Sequence, residues 1–286
     1  MAKLLRWAAY GVATIATLLL IAAAIVWLIS SHMLASAPKP HPEHLAPPTP
    51  DELADAPRMA HALGCFSCHG DGLRGRKMFD QPMIGTIWAP NLTLMAAHAS
   101  DDEIARALRQ GISDEGRPLV IMPSESFQFL SDGEVAALIA MIRGLPRSSA
   151  ITPELSFGPL GRLGLAMGRF NTAPTLVAKF SRQQPIHLGA GFEPGRRLAM
   201  LNCSSCHGPA LAGQEAAPGE ISPDLTIVGA YDLPAFRKLL RTGVPAGGQK
   251  LAMMGPTAQS DLSHLTDSQI EQLHSYLVAR AQALSH

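Results

Sequence analysis

Two copies of the pattern Cys-x-x-Cys-His constrain this chain of 286 residues more than any other feature. They contain all four of its cysteines. The residues concerned are Cys65, Cys68, His69, Cys203, Cys206 and His207. Two thiols at this spacing can form thioethers with the two vinyl groups of one heme, and the adjoining histidine can then coordinate the iron. The motifs therefore predict two covalently bound heme c groups.

Zinc binding and thiol redox chemistry are the alternative interpretations of a Cys-x-x-Cys pair. The cysteine pairs of a zinc site usually lie much closer together than Cys65 and Cys203, which are 138 residues apart. A redox dithiol is typical of a βαβ context, and no alternating strand–helix pattern surrounds either copy. Both alternatives are therefore weaker than heme attachment.

The amino-terminal segment is apolar enough to cross a membrane. Residues 7–30 form a run of 24 residues without a charge, which would span about 36 Å as a helix. Lys3 and Arg6 precede this run, so the amino terminus is expected to stay in the cytoplasm. We predict a transmembrane anchor at residues 1–33. A cleaved signal peptide is the alternative, since residues 35–37 read Ala-Ser-Ala, but the apolar core of such a peptide is usually only about 7–15 residues long.

Two further segments separate the anchor from the motif-bearing regions. Residues 34–50 are rich in proline, which predicts an extended spacer that holds the next region away from the bilayer. Residues 147–185 carry a net charge of +4 and are predicted to form a solvated linker, with packing between the regions or against the bilayer as alternatives. The chain has no net charge and no basic stripe with aromatic residues, so no nucleic-acid partner is expected.

The two motifs lie in two related regions, residues 51–146 (the first unit) and residues 186–286 (the second unit). Four short segments match between them: 69–75 with 207–213, 89–93 with 222–226, 107–111 with 239–243, and 130–132 with 265–267. Each unit closes with an apolar-periodic helix. The internal repeat predicts that both units have the same architecture.

The two closing helices carry the same start signal. Ser131 and Thr266 are predicted to cap them, because a side-chain oxygen can accept from the free amides of the first turn. Glu134 and Gln269 follow three residues later, which predicts a capping box at each start.

The order of these segments resembles class I cytochrome c. The shared features are Cys-x-x-Cys-His, a Pro-Asn-Leu-Thr or Pro-Asp-Leu-Thr segment, a methionine and a closing helix, and they cover most of both units. The resemblance implies an all-α fold with two tandem class I cytochrome c domains behind an N-terminal transmembrane helix, similar to cytochrome subunits of periplasmic dehydrogenases. It also implies that the carbonyls of Pro90 and Pro223 accept a hydrogen bond from the iron-binding imidazoles, which would fix the orientation of those rings.

His69 and His207 are the predicted proximal ligands of the two irons. The repeat selects Met122 and Met254 as the sixth ligands, since each follows a matched glycine by eleven residues. A thioether ligand favours reduced iron and so raises the potential. Met253 adjoins Met254, and both cannot ligate. The competitors in the first unit are Met78, Met83, Met95 and His98.

These features predict an electron carrier rather than an enzyme. The protein is expected to accept electrons from a periplasmic dehydrogenase or a quinol-oxidising complex and to pass them to a soluble cytochrome or a terminal oxidase. It is expected to cross a bacterial inner membrane once, with both heme domains in the periplasm. The main alternative is a diheme redox enzyme of the peroxidase or thiosulfate-oxidising type, which would need an iron with an open coordination position. A heme-bearing scaffold subunit is the third interpretation.

Overall fold

The chain is predominantly helical, with both units following one long amino-terminal helix. The computed structural model describes residues 1–217 and 219–285. The helices through the first unit are α1 (Ala2–Ala35), α2 (Pro50–Ala62), α3 (Cys65–His69), α4 (Leu92–Met95), α5 (Asp101–Gln110), α6 (Ser124–Phe127) and α7 (Asp132–Gly144). The later helices are α8 (Pro159–Ala166), α9 (Ala173–Arg182), α10 (Glu193–Asn202), α11 (Ser204–His207), α12 (Leu233–Thr242), α13 (Met254–Ser260) and α14 (Asp267–Leu284).

Two small antiparallel sheets accompany the helices of the predicted all-α fold. Their strands are β1 (Arg76–Gln81), β2 (Gly85–Ala89), β3 (Ser156–Phe157), β4 (Gln214–Ala217) and β5 (Glu220–Ser222). The β1–β2 hairpin follows the first motif and is extended by β3, while β4 and β5 form the hairpin after the second motif. These strands are hard to recognise in the sequence because all are short, and β1 and β5 are largely exposed and lack the apolar alternation of a half-buried strand.

Helix α1 is the one helix in the described part of the chain that is long and apolar enough to cross a membrane. None of its most apolar stretch is buried against the rest of the molecule. It ends at Ala35, two residues beyond the predicted anchor. An exposed apolar helix of this length is consistent with a single membrane anchor.

The core of the first unit lies between α2, α5 and α7. Helix α5 contributes Ile104 and Leu108, and α7 contributes Leu138 and Ile139. Phe127 from α6 packs into the same cluster. The short helix α3, which carries the first motif, contacts α2, and its Cys65 and Phe66 pack against this core.

The core of the second unit forms where α10 packs against α14. Tyr276 is fully buried there, and its hydroxyl donates to the carbonyl of Ile186 at 2.9 Å. Gly195 lies at the closest approach of the two helices, because a Cβ at this position would stand 2.1 Å from the backbone oxygen of Gln272. The absence of a side chain at Gly195 is what lets the helices meet.

The predicted capping boxes of the closing helices are confirmed. The Ser131 hydroxyl accepts from the amide of Glu134, and the Glu134 carboxylate accepts from the amide of Ser131. Thr266 and Gln269 make the same reciprocal pair at the start of α14. Each box therefore satisfies two amides that would otherwise lack a partner.

The segment between the units is structured, which corrects the prediction of a solvated linker. It contains β3, α8 and α9. Leu165, Ala173 and Phe180 are buried, so the segment has apolar contacts of its own. Helix α9 packs on α5 and α6, and α8 packs on α1. The sequence-based prediction missed these helices because glycines and basic residues interrupt the apolar residues of the segment.

The proline-rich spacer also makes contacts with the first unit. Glu43 pairs with Arg109 at 3.1 Å and accepts from Gln110, both on α5. The amide of His41 donates to the side chain of Gln110, and Leu45 packs against the first core. The spacer is extended as predicted, but it lies along the surface of α5.

The two units are joined by polar contacts on several elements. The Arg197 guanidinium of α10 donates to the carbonyl of Phe129 at 3.0 Å and pairs with Glu134. From the first unit, Arg58 of α2 donates to the carbonyl of His264 in the second unit at 2.8 Å. Ser126 and Ser204 share a buried hydrogen bond of 3.1 Å. These contacts hold the motif-bearing faces of the two units against each other.

Candidate heme-binding sites

Each Cys-x-x-Cys-His motif folds as a single helical turn. The first motif is α3, and glycines with positive φ precede and follow it, Gly64 at 75° and Gly70 at 74°. The second motif lies on α11 and is followed by Gly208 at 83°. The four cysteines are free thiols and half-buried. A single turn brings both thiols of a pair and the histidine to one side of the chain, as covalent heme attachment requires.

Both motif histidines are buried and oriented by a proline carbonyl. The Nδ1 of His69 lies 2.8 Å from the carbonyl oxygen of Pro90, and the Nδ1 of His207 lies 2.8 Å from that of Pro223. A carbonyl can only accept, so Nδ1 carries the proton and Nε2 keeps its lone pair. Burial lowers the pKa of both imidazoles, partly offset by the proline contact. Both rings are thus neutral at physiological pH and presented for metal coordination through Nε2.

The loops after the two motifs have the same unusual backbone. Leu73 and Leu211 are the non-glycine residues with positive φ in the described part of the chain, at 56° and 60°, and both are fully buried. Each stands four residues after its motif histidine. The left-handed conformation is unfavourable for leucine, so its presence at two matched positions indicates that burial of the side chain compensates the strain.

The proline segments are held by matched side chains. Asn91 accepts from the amide of Thr93 at 3.1 Å, and Asp224 accepts from the amide of Thr226 at 2.8 Å. In the second unit the Asp224 carboxylate also receives Arg280 of α14 at 2.9 Å. Burial acts to raise the pKa of Asp224, but the backbone amide and side chain of Thr226 together with Arg280 lower it overall. These contacts fix the carbonyls that orient the imidazoles.

A third matched feature connects α5 and α12 to the closing helices. Arg109 donates to the carbonyl of Leu130 and to Asp132, both at 2.8 Å. Arg241 likewise donates to the carbonyl of Ser263 and, at 3.0 Å, to Asp267. The two units therefore share not only the motif but also the contacts that position the helix after the methionine.

The predicted methionines occupy comparable environments in the two units. Met122 is half-buried and packs against the first core together with Cys65. Met254 is half-buried and packs against the second core together with Cys203. Met253 is instead 41% exposed. The packing therefore favours Met254 over its neighbour as the side chain directed to the second motif.

The alternative candidates for the sixth iron ligand in the first unit differ in how exposed their side chains are. Met78 and Met83 are exposed on the β1–β2 hairpin. His98 is exposed and pairs with Asp114 at 3.2 Å. Met95 on α4 is half-buried in the first core, as Met122 is. The repeat, and not burial alone, distinguishes Met122 from Met95.

The residues at both motifs fit a c-type heme. Each motif offers two free thiols and an imidazole with an available Nε2, beside a half-buried thioether and an apolar cluster. Imidazole and thioether are the ligands of electron-transfer cytochromes. Burial raises the pKa of Cys65 and Cys203 to about 12, so these thiols are neutral before attachment.

Comparison with protein families identifies the second unit. Residues 192–280 match the family model for cytochrome c. This part of the chain is a cytochrome c domain. The match supports a heme-containing electron-transfer role for this part of the chain and implies covalently bound heme c. The chain has no match among the curated proteins.

The cytochrome c domain contains a buried arginine in an ion pair that sequence reasoning missed. Arg280 is only 2% exposed, and besides Asp224 it donates to the carbonyl of Ala210 at 2.8 Å. It thereby links α14 to the loop after the motif and to the proline segment. A lone arginine on the apolar closing helix was the available signal, since arginine is rarely buried without a partner.

A carboxyl of the first unit lies beside the cytochrome c domain and was also missed. Glu125 on α6 is 6% exposed, and its Oε2 has no hydrogen-bond partner among the described residues. Burial raises the pKa of Glu125 to about 7. Its charge also acts to raise the pKa of Cys206, which indicates proximity to the second motif. Helix α6 is surrounded by α5, α9, α10 and α11, so this burial depends on the packing of both units.

We expect Glu125→Gln to stabilise the protein at pH 8 but not at pH 4. The pKa of Glu125 is about 7 in the folded protein and 4.5 in the unfolded chain. The wild-type protein therefore has its full free energy of unfolding below about pH 4.5, and Glu125 lowers that free energy as the pH rises through 7. The loss at pH 8 is on the order of 3 kcal/mol. Thermal unfolding of the holoprotein at both pH values measures the difference. The exposed Glu115 provides the control, and an equal gain from Glu115→Gln would contradict the explanation.

Proposed function

We propose that the chain is a membrane-anchored diheme c-type cytochrome that transfers electrons between membrane-associated redox proteins. The observation that carries this proposal is the imidazole–proline hydrogen bond, which occurs at 2.8 Å in the first unit as in the cytochrome c domain. The left-handed leucine and the arginine contact to the closing helix support it, because they repeat a complete local geometry and not a motif alone. On this proposal the first unit is a second cytochrome c domain.

The residues that would hold the two hemes follow from this repeat. Cys65 and Cys68 would bind one heme covalently, and His69 and Met122 would bind its iron. The second set would be Cys203, Cys206, His207 and Met254. When bound, heme supplies one-electron redox chemistry. Pro90 and Pro223 keep the imidazoles in one orientation, and the half-buried methionines would bind the irons in place of a substrate.

The proposed location is the periplasmic face of a bacterial inner membrane. Helix α1 would cross the bilayer once, and Lys3 and Arg6 would keep its amino terminus in the cytoplasm. The donor would be a periplasmic dehydrogenase or a quinol-oxidising complex, and the acceptor a soluble cytochrome or a terminal oxidase. A mature amino terminus at Ser36 or Pro38 would instead identify α1 as a cleaved signal.

Heme counting tests the proposal. The purified protein should carry two hemes that remain attached after denaturation, as measured by mass and by heme absorbance. Replacing Cys65 and Cys68 with alanine should remove one heme, because the thioethers of that site can no longer form. Replacing Cys203 and Cys206 is the matched control and should remove the other. A wild-type protein with one heme, or with zinc at the first motif, would limit the electron-transfer role to the second unit.

The spin state separates the carrier from the enzyme alternative. Two methionine-ligated irons should both be low-spin in the oxidised wild-type protein. A high-spin heme without any mutation would indicate an open coordination position and would favour the peroxidase or thiosulfate-oxidising interpretation.

A further inference from the structure

Helix α8, in the segment between the units, is attached to one end of the apolar helix α1. The Arg162 guanidinium lies 3.6 Å above the centre of the Trp27 ring. Its Nη1 also donates to the hydroxyls of Ser30 and Ser31, each at 3.0 Å. A cation on an aromatic face combined with two hydrogen bonds is a specific contact, so α8 has a defined position along α1.

The position of Trp27 corresponds to a membrane–water interface. Trp7 and Trp27 are twenty residues apart on one helix, a distance of about 30 Å, which is the thickness of the hydrocarbon core. Tryptophan is enriched at both membrane interfaces. If α1 spans the bilayer with these two residues at its borders, then Arg162 and α8 lie at the level of the outer head groups.

Helix α8 exposes an apolar face at this level. Leu160, Leu163 and Met167 follow the helical spacing i, i+3 and i+7, and they are 51%, 39% and 64% exposed. Leu165 on the opposite side is fully buried in the protein. Helix α8 is therefore apolar on two opposite sides. The described residues leave the side with Leu160, Leu163 and Met167 exposed.

The β1–β2 turn fixes the orientation of this face. The amide of Leu160 donates to the carbonyl of Met83 at 2.8 Å, and the amide of Gly158 donates to that of Ile84 at 2.9 Å. A Cβ on Gly161 would stand 2.0 Å from the Ile84 oxygen, so the contact is close. Met83 is itself exposed and adds to the apolar surface.

We propose that the exposed face of α8 inserts into the outer head-group region of the bilayer that α1 crosses. Two observations indicate that lipid covers this face. The Arg162 contact places the face next to α1, the helix that would cross the bilayer. The segment 147–185 also carries a net charge of +4, which suits anionic head groups. The first unit would then be seated on the membrane through α8. The inference rests on the proposed role of α1 as the membrane anchor.

Photolabelling from within the bilayer tests the insertion. The full-length holoprotein is reconstituted in nanodiscs that contain anionic lipid and a phospholipid with a diazirine in its acyl chain. After irradiation and trypsin digestion, mass spectrometry should find label on α1 and on the peptide 163–169. The peptide 242–250 is the internal control, because Val244 is 38% exposed, nearly as much as Leu163, but lies in the cytochrome c domain. It should carry no label.

A double variant and the pattern of labels make the test decisive. Leu163→Glu with Met167→Glu should lose the label on 163–169 and keep that on α1, with the heme content unchanged. Label on α1 but not on 163–169 of the wild type overturns the insertion and leaves the anchor intact. Equal label on 163–169 and 242–250 also overturns it. Absence of label from α1 overturns the anchor as well.

Discussion

Met254→Ala is expected to remove the near-infrared sulfur-to-iron band of one heme and to lower the potential of that heme. The thioether stabilises reduced iron, so its loss shifts the equilibrium towards the oxidised state. The side chain is half-buried beside Cys203 in the second core, and the adjacent Met253 faces solvent. Absorption spectroscopy of the oxidised protein should therefore show a band with the amplitude of one heme, and a redox titration should show one shifted transition.

Met253→Ala is the matched control and should leave both the band and the potentials unchanged. If Met253→Ala removes the band and Met254→Ala does not, the ligand is the other residue of the pair. In the first unit, Met122→His should keep the iron six-coordinate but lower its potential, since a second imidazole stabilises oxidised iron relative to a thioether.

Gly195→Ala is expected to lower the free energy of unfolding of the cytochrome c domain by about 3 kcal/mol. The new methyl group would stand 2.1 Å from the Gln272 oxygen and 2.8 Å from the Cβ of Tyr276. The first of these atoms is backbone, so α10 and α14 must separate to accommodate the methyl group. The gain in helix propensity from alanine is at most about 1 kcal/mol and does not offset this cost.

Gly191→Ala provides the comparison for this prediction. It lies four residues earlier in the same region, and a Cβ there would meet no atom within 4 Å. Its effect on denaturant unfolding should stay within about 0.5 kcal/mol. Equal losses from both variants would show that helix crossing is not the cause. The first heme should be retained in both, because neither glycine contacts the first motif.

The sequence predicted the features that depend on short spacings. The closing helices and their capping boxes were recognisable because a cap is a local pattern. The box of Ser131 and Glu134, for example, is defined by two residues only three positions apart. The imidazole–proline contacts were expected from the family resemblance, and their geometry is present in both units. The order of helices around each motif was predicted on the same basis.

The features that depend on packing between distant segments were not predictable. The burial of Glu125 requires α6 to lie against helices of both units, and no local pattern signals it. Arg162 contacts Trp27, which is 135 residues away in the chain. No local pattern indicates this contact, so the segment between the units was predicted to be a linker. Glu43 pairs with Arg109 of α5, a residue that the fold brings close but that is distant in the sequence. The sequence therefore suggested a spacer without contacts to the first unit.

The short connection between α1 and the docked part of the spacer limits how far the first unit can travel. Helix α1 ends at Ala35, and His41 is already bonded to Gln110 on the first unit. Six residues of fully extended chain reach about 20 Å. On the proposed function, a cytochrome on so short a tether would not search the periplasm for its partners. A soluble acceptor would instead diffuse to the membrane, and the rate of electron delivery should rise in proportion to the acceptor concentration until the docking site is saturated.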